Sequence, residues 1–143
     1  HLLHMAAVQQ IARFEADGQA LVLKRYVATT QARRLRRALT PSRAARSWQA
    51  AWRLLAIGVG TPRPWLMIEQ RFGPLRGRAW LVTDFCPGVH IDEAYRRGGR
   101  NEREAIEHAL ARLFEAMLRH RISHRDTKPA NLLWTKDGHN ISR

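Results

Sequence analysis

The sequence predicts an α+β fold, with antiparallel β-hairpins in the first half of the chain and a long helix in the second half. Apolar runs on both sides of Asp17-Gly18 are typical of a hairpin. Two further apolar runs flank a Gly- and Arg-rich turn at residues 71–78. Residues 101–118 then carry apolar side chains at helical spacing. Together these three observations place a sheet before a helical region.

The first hairpin is predicted from residues 8–15, the Asp17-Gly18 turn and residues 19–27. The pattern of residues 1–14 is mixed and suits either a helix or the end of a strand. Lys24 falls in the second strand of the hairpin, within the run Leu-Val-Leu-Lys-Arg-Tyr. Because a strand lysine is usually a solvated surface residue, its position alone assigns it no role.

A helix is predicted to begin at Thr40 and Pro41, which suit an N-cap and a first helical position. Gly58 is placed to end it. Between Asp17 and Glu69 the chain has no acidic residue, so this helix carries no carboxylate. Its tryptophans are interpreted as core anchors. The apolar residues that recur at helical spacing are Ala45, Trp48, Trp52, Leu55 and Ala56.

The second hairpin is predicted from residues 65–70 and 79–85 around the turn at 71–78. A short helical turn at residues 91–95 and a loop at 96–100 lead into the long helix.

Asn101 and Glu104 form a capping-box-like start for this helix. Glu115 and Arg119 are spaced as an i,i+4 pair on its polar face. His108 and His120 are interpreted as solvated or packed residues rather than metal ligands, and no set of residues has zinc-ligand spacing. The apolar face is predicted to consist of Ile106, Leu110, Leu113, Phe114, Met117 and Leu118.

Residues 124–131 read His-Arg-Asp-Thr-Lys-Pro-Ala-Asn, followed by the strand-like Leu132-Leu133-Trp134. The pattern His-x-Asp-x-Lys-x-x-Asn between a helix and a strand resembles the catalytic loop of the protein-kinase-like fold. Phosphoryl transfer needs a carboxylate to orient the attacking hydroxyl and to take its proton, and Asp126 is the candidate. Lys128 is placed to offset charge on the γ-phosphate, and Asn131 to offer its amide oxygen to Mg²⁺. The alternative is a polar surface loop with solvated side chains.

Several segments resemble the bacterial lipopolysaccharide kinases that phosphorylate Kdo or heptose. They are Lys-Arg-Tyr at 24–26, the Arg-rich linker after it, residues 41–48, 61–64 and 71–75, and the hinge that contains Thr83. This resemblance implies a kinase-like N-lobe over residues 1–85 with an αC-like helix, a hinge at 86–90, and the start of a helical C-lobe over 91–143. It also implies transfer of the γ-phosphate of ATP, with Mg²⁺, to a sugar hydroxyl of the lipopolysaccharide inner core.

The resemblance further implies a nucleotide site. Lys24 would hold the α- and β-phosphates, Val22 and Val82 would form apolar walls, and backbone groups near Asp84 and Cys86 would hold adenine. Both valines are read equally well as ordinary strand core. A glycine-rich loop is missing before the first hairpin, so that loop lies upstream of His1 or is replaced in this family. The chain is expected to be a fragment, because it starts without an initiator Met and ends twelve residues after Asn131. The second arm of the hairpin after Asn131 and the second metal-binding Asp are expected to be missing, so the fragment itself is expected to be inactive.

The formal net charge of +13 predicts an anionic partner, for which nucleic acid, an acidic membrane surface and a phosphorylated glycolipid were the candidates. High-GC codon bias would also raise the arginine content without a function. The resemblance favours the glycolipid, with peripheral contact at the inner membrane, and disfavours nucleic acid. No run of residues is apolar enough to span a membrane. The single cysteine, Cys86, excludes an internal disulfide and suits a reducing cytoplasm.

Two other functional classes stay open from the sequence. Within enzymes, the chain suits a protein kinase or an aminoglycoside kinase. Outside them, it suits a catalytically silent basic module that binds nucleic acid or a membrane.

Overall fold

A computed structural model of the chain describes residues 2–6, 9–27, 40–73, 75–122, 129–135 and 140–142. These residues form eight strands, three α-helices and a short 3-10 helix, Pro129–Asn131, which confirms the α+β prediction. The strands are β1 (Leu2–Ala6), β2 (Gln9–Ala16), β3 (Gln19–Tyr26), β4 (Pro64–Phe72), β5 (Leu75–Asp84), β6 (Val89–His90), β7 (Leu132–Trp134) and β8 (Asn140–Ser142). The helices are α1 (Arg43–Ala56), α2 (Ile91–Arg97) and α3 (Arg100–Arg119).

The chain divides into two compact units. The first unit consists of His1–Trp52 and Arg63–Phe85, and the second of Arg53–Pro62 and Cys86–Arg143. The lobe and hinge limits expected from the family resemblance stay a prediction.

An antiparallel sheet with the strand order β1-β2-β3-β5-β4 forms the first unit. The predicted first hairpin is confirmed, because β2 and β3 pair along their whole length around Asp17 and Gly18. Both turn residues have positive φ, 49° and 74°, as a tight hairpin turn requires. The undecided N-terminal region is a strand, β1, which pairs with β2. Only Ala7 and Val8 link these two strands, so no glycine-rich sequence connects them.

The second hairpin is confirmed as a pair of strands, but the turn was predicted too long. Strands β4 and β5 stay paired as far as Phe72 and Leu75, leaving Gly73 and residue 74 between them. Gly73 has φ of 58°, a backbone conformation that glycine adopts without a steric cost. The predicted turn includes Arg71 and Arg76 because glycines and a proline lie beside them. These two arginines are instead paired across the strands, after a register shift between Glu69 and Arg71.

Helix α1 begins later than predicted, since its N-cap is Ser42 rather than Thr40. The Ser42 side-chain oxygen accepts a hydrogen bond of 3.0 Å from the Ala45 N–H, and its carbonyl accepts one of 3.0 Å from Arg46. The predicted end is correct. The N–H of Gly58, which has φ of 76°, donates to the Leu55 carbonyl.

The packing of α1 differs from the predicted apolar stripe. Ala44, at the start of the helix, is buried with Ala79 and Leu81 in the core of the first unit, and half-buried Trp48 packs against them. Trp52 meets Trp48 edge to face with ring centroids 6.0 Å apart, but it is 41% exposed. Trp48 therefore acts as the predicted anchor, whereas Trp52 does not.

The second unit is built around the buried face of α3. Its core contains Ile106, Leu113 and Met117 of this helix together with Leu132 of β7. Ile91 and Ala94 of α2 complete the core with Leu54 and Val59. Two of the predicted face residues, Phe114 and Leu118, are exposed instead, because the buried stripe of α3 runs through Ala109.

The start of α3 also differs from the prediction. The helix begins at Arg100 with Gly99 as its N-cap, and the cap makes no side-chain hydrogen bond. Glu104 pairs with Arg100 at 3.0 Å instead of closing a capping box. The predicted pair of Glu115 and Arg119 is confirmed at 2.6 Å. The segment before α3 is helical as far as Arg97, two residues beyond the predicted turn.

A small antiparallel sheet with the order β6-β7-β8 completes the second unit. Leu132 pairs with Ser142 and Trp134 pairs with Asn140. The second arm of this hairpin is therefore present, contrary to the expectation that the chain lacked it.

Leu113→Ala is expected to lower the free energy of unfolding by about 2–5 kcal/mol, because Leu113 is 6% exposed and its truncation leaves a cavity beside Leu132. Leu118→Ala, on the same helix at 78% exposure, is the matched control and is expected to change it by less than about 0.5 kcal/mol. Denaturant titration measures both values. Equal losses for the two variants would contradict the assigned face of α3.

Candidate active site

Lys24 lies on the third strand of the sheet in the first unit, as predicted. Across the ladder it is level with Ile11 of β2 and Leu81 of β5. Its side chain is half-buried, and Leu81 is 2% exposed. The lysine charge is thus presented from a strand that is hydrogen-bonded on both sides, which fixes its backbone position.

The strand register separates the predicted nucleotide-binding residues into two sets. Residues paired across an antiparallel ladder project to the same face, and successive residues alternate. Val22 therefore shares the face of Lys24, and Thr83 of β5 is paired with Val22 on that face. Val82 and Asp84 project to the opposite face. The structure brings Val22 together with Lys24 and does not bring Val82 there.

Thr83 was not singled out from the sequence as a site residue. It is a buried polar residue, and its hydroxyl donates a hydrogen bond of 3.3 Å to the Asp84 carbonyl oxygen. The alternation of side chains along β5 separates Thr83 from Val82 in the sequence. It shows which of them shares the face of Lys24 only when the register with β3 is known.

Asp84 ends β5 in a firmly held position. Its N–H donates to the Arg63 carbonyl at 3.0 Å, and the next N–H, of Phe85, donates to the Ala20 carbonyl at 2.9 Å. The Trp65 indole Nε1 donates to the Asp84 carboxylate at 2.6 Å. These bonds use the amide hydrogens of Asp84 and Phe85. Cys86 is half-buried in the second unit.

Helix α1 faces the strand of Lys24 through uncharged groups. Ser47 hydrogen-bonds with Tyr26, two residues beyond Lys24 on β3, whereas Gln49 is exposed. Burial raises the pKa of Tyr26, and its hydrogen bond with Ser47 and the nearby Arg43 partly offset this. The helix therefore supplies no carboxylate to Lys24.

Asp126 and Lys128 of the predicted catalytic loop lie outside the described residues, together with His124. Both flanks of the loop are described. On the N-terminal side, Ile122 donates its N–H to the Met117 carbonyl at 2.8 Å and packs against the core of the second unit. On the C-terminal side, Leu132 is buried in the same core. Half-buried Asn131 closes the 3-10 helix directly before Leu132.

A helix precedes the motif and a strand follows it, as predicted. A sequence model of the lipopolysaccharide kinase (Kdo/WaaP) family matches residues 4–142, almost the whole chain. The chain belongs to this family. A search of curated proteins found no match.

Among solved structures, the family member described here is similar to "WaaP in complex with acyl carrier protein". The TM-score is 0.70 at 22% sequence identity, and the match covers 99% of this chain and 58% of that chain. This likeness supports the protein-kinase-like fold. The present chain spans less than two thirds of the WaaP chain.

The kinase-family chain shows no cluster of three or more His, Cys, Asp or Glu residues suited to a metal ion within the part that the structure describes. Among the same residues, no helix is long and apolar enough to cross a membrane.

The raised pKa of Tyr26 predicts that the protein loses stability in strong alkali. A phenol whose pKa is higher in the folded state than its ordinary value of 10.0 contributes stability that is complete below pH 10 and is lost as the pH rises through the folded-state pKa. Urea titrations at pH 9 to 11 should therefore show a falling free energy of unfolding, and Tyr26→Phe should reduce the slope. The pKa of Tyr95, the other tyrosine, is also raised, by its hydrogen bond to Glu107, so Tyr95→Phe measures its separate contribution to the slope. An unchanged slope in Tyr26→Phe would contradict the assignment to Tyr26.

Proposed function

We propose that the protein transfers the γ-phosphate of ATP to a sugar hydroxyl, of Kdo or heptose, in the lipopolysaccharide inner core. The observation that carries this proposal is the match of the lipopolysaccharide kinase family over residues 4–142. The protein-kinase-like fold and the sequence of residues 124–131 support it independently.

The described residues fit the nucleotide and the metal ion. Lys24 presents a positive charge from a strand held on both sides, next to the apolar Val22, which suits a phosphate chain beside an apolar base. Asn131 offers an amide oxygen, a ligand type that Mg²⁺ accepts, and Mg²⁺ commonly uses few protein ligands beside water and phosphate.

We assign four roles in the reaction. Lys24 holds the α- and β-phosphates, and Asn131 is a ligand of Mg²⁺, which neutralises phosphate charge when bound. Asp126 orients the sugar hydroxyl and accepts its proton. As the hydroxyl oxygen bonds to the γ-phosphorus, the bond from that phosphorus to the β–γ bridging oxygen breaks and ADP leaves. Lys128 offsets the negative charge on the transferring group.

For the adenine, the register favours contacts that differ from those expected from the sequence. Thr83 is on the face of Lys24 and replaces Val82 as the candidate wall residue from β5. The Asp84 carbonyl and the Cys86 backbone remain the proposed hydrogen-bonding groups.

The acceptor implies a place for the reaction. Inner-core sugars are attached to a lipid, so we propose that the protein is cytoplasmic and works peripherally at the inner membrane. The positive charge of the chain suits an anionic glycolipid.

Asp126→Asn in the full-length enzyme is expected to reduce phosphate transfer about 10²- to 10⁴-fold, because the amide cannot take the hydroxyl proton. Nucleotide binding, measured by calorimetry, should be unchanged. Asp92→Asn is the control, since Asp92 is an exposed residue of α2 that pairs with Arg96. Unchanged turnover in Asp126→Asn would contradict its role as the base. Acceptor class is tested in parallel with core oligosaccharide, a protein and an aminoglycoside.

Lys24→Gln is expected to raise the KM for ATP by at least about tenfold, because a charge-assisted contact with phosphate is lost. Arg46→Gln, an exposed arginine of α1, removes the same charge from the first unit and should leave this KM nearly unchanged. Steady-state kinetics with varied ATP measures both. The same rise in both variants would show that net charge, rather than Lys24, governs ATP binding.

A further inference from the structure

The sheet of the first unit has a second face, opposite Lys24, that is largely apolar. The register places seven apolar residues on it, in the rows Phe14-Leu21, Leu23-Val82-Leu66 and Trp80-Ile68, and Leu21 is the buried one among them. Leu66 and Ile68 are each 49% exposed, and Phe14 is 38% exposed. The apolar sheet face is defined here by Phe14, Leu23, Leu66, Ile68, Trp80 and Val82.

This face is separate from the candidate active site. Helix α1 packs on the side of Lys24, where Ala44 and Trp48 meet Leu81. On the apolar sheet face, aliphatic side chains of strand β4 stay in contact with solvent. Contiguous exposed apolar groups of this kind mark interaction surfaces in soluble domains.

Arginines accompany the apolar side chains. Exposed Arg78 lies on β5 at the register shift of the β4–β5 ladder, two residues before Trp80 of this face. Arg63 stacks over the Trp65 ring at 4.9 Å, and that indole reaches Asp84, which is also on this face. Arg25 lies there too and donates to Gln10 at 2.9 Å. These three arginines outnumber the single carboxylate, of Asp84, so the local charge is positive.

The first unit as a whole is also more positively charged than the second. The first unit has 13 basic and 4 acidic residues, a net charge of +9, and the second has 12 basic and 8 acidic residues, a net charge of +4. In the second unit, four arginines pair with acids one turn away on α2 or α3. The unit that carries the apolar sheet face is therefore the one with the higher net positive charge.

We propose that the apolar sheet face docks on an anionic membrane surface. Aliphatic and aromatic side chains at the headgroup boundary combine with arginines that bind lipid phosphates, and each group has a partner there. A second copy is disfavoured as the occupant because two units of charge +9 repel each other. Nucleic acid would match the arginines but would leave Leu66 and Ile68 without apolar contacts. The proposal rests on the proposed function only in that a lipid-attached acceptor lies at such a surface.

Sedimentation with vesicles tests the apolar part of the face. The full-length protein is mixed, without ATP, with vesicles of phosphatidylglycerol and phosphatidylcholine in equal parts, or of phosphatidylcholine alone. The wild type should bind the anionic vesicles preferentially. Leu66→Ser/Ile68→Ser should lower the partition coefficient about tenfold, through loss of two apolar contacts. The matched control, Phe114→Ser/Leu118→Ser on exposed positions of α3, should lower it less than about twofold.

Single arginine variants test the charged part and do not depend on the folding of the double variant. Arg78→Gln should weaken binding to anionic vesicles about fivefold and reduce its salt dependence, since a basic residue near an anionic surface contributes about that factor. Arg112→Gln, at an exposed position of α3, removes the same charge and should have a smaller effect.

Three results would overturn the proposal. The first is the absence of binding to anionic vesicles at low salt, and the second is an equal loss of binding in the surface and control variants. The third is a dimer, detected by sedimentation velocity, that Leu66→Ser/Ile68→Ser abolishes while vesicle binding is retained. Phosphate transfer to a water-soluble core oligosaccharide separates the two proposals: vesicle binding that is lost in the surface variants supports docking even if no transfer is detected, and that lack of transfer would count against the proposed function alone.

Discussion

The packing of α3 against Leu132 is the constraint on which the candidate catalytic loop depends. Ile122, shortly after α3, and Leu132, at the start of β7, belong to one hydrophobic core, so both flanks of residues 123–128 are fixed to it. A core packed at this density resists small displacements of its members. Hydrogen bonds of β7 to β6 and β8 hold the second flank further. A loop anchored in this way suits chemistry that depends chiefly on the positions of charged groups.

In the first unit, the corresponding constraint is the position of β3 between β2 and β5. Hydrogen bonds on both edges fix the register, and the register decides that Lys24, Val22 and Thr83 share a face. Helix α1 covers this face through Ala44 and Trp48, and Ser47 bonds with Tyr26. The helix lacks any acidic residue, so it contributes packing rather than a counter-charge. This arrangement differs from the lysine and glutamate pair of protein kinases.

Charge is managed differently in the two units. Helices α2 and α3 carry acids and arginines at i,i+4 spacing, and each such exposed pair contributes only a few tenths of a kcal/mol. Their main consequence is to lower the local positive potential. The sheet of the first unit has few acids, and one of them, Glu69, is paired with Arg71 at 2.9 Å. Positive charge and exposed apolar surface consequently occur on the same unit, which is the combination that an anionic interface attracts.

The sequence by itself determined the features that depend on neighbouring residues. Asp17-Gly18 fixes the first hairpin because both residues adopt positive φ, and the helical periodicity of residues 101–118 locates α3. The spacing of residues 124–131 predicts a kinase-like catalytic loop, and the family match agrees with the resemblance drawn from residues 24–26, 41–48, 61–64 and 71–75. Tertiary structure decided what depends on distant partners. Thr83, and not Val82, lies on the same sheet face as Lys24, because the register of β3 with β5 decides which residues share a face. Phe114 and Leu118 are exposed, although periodic, because a helix buries only the stripe that its neighbours can cover.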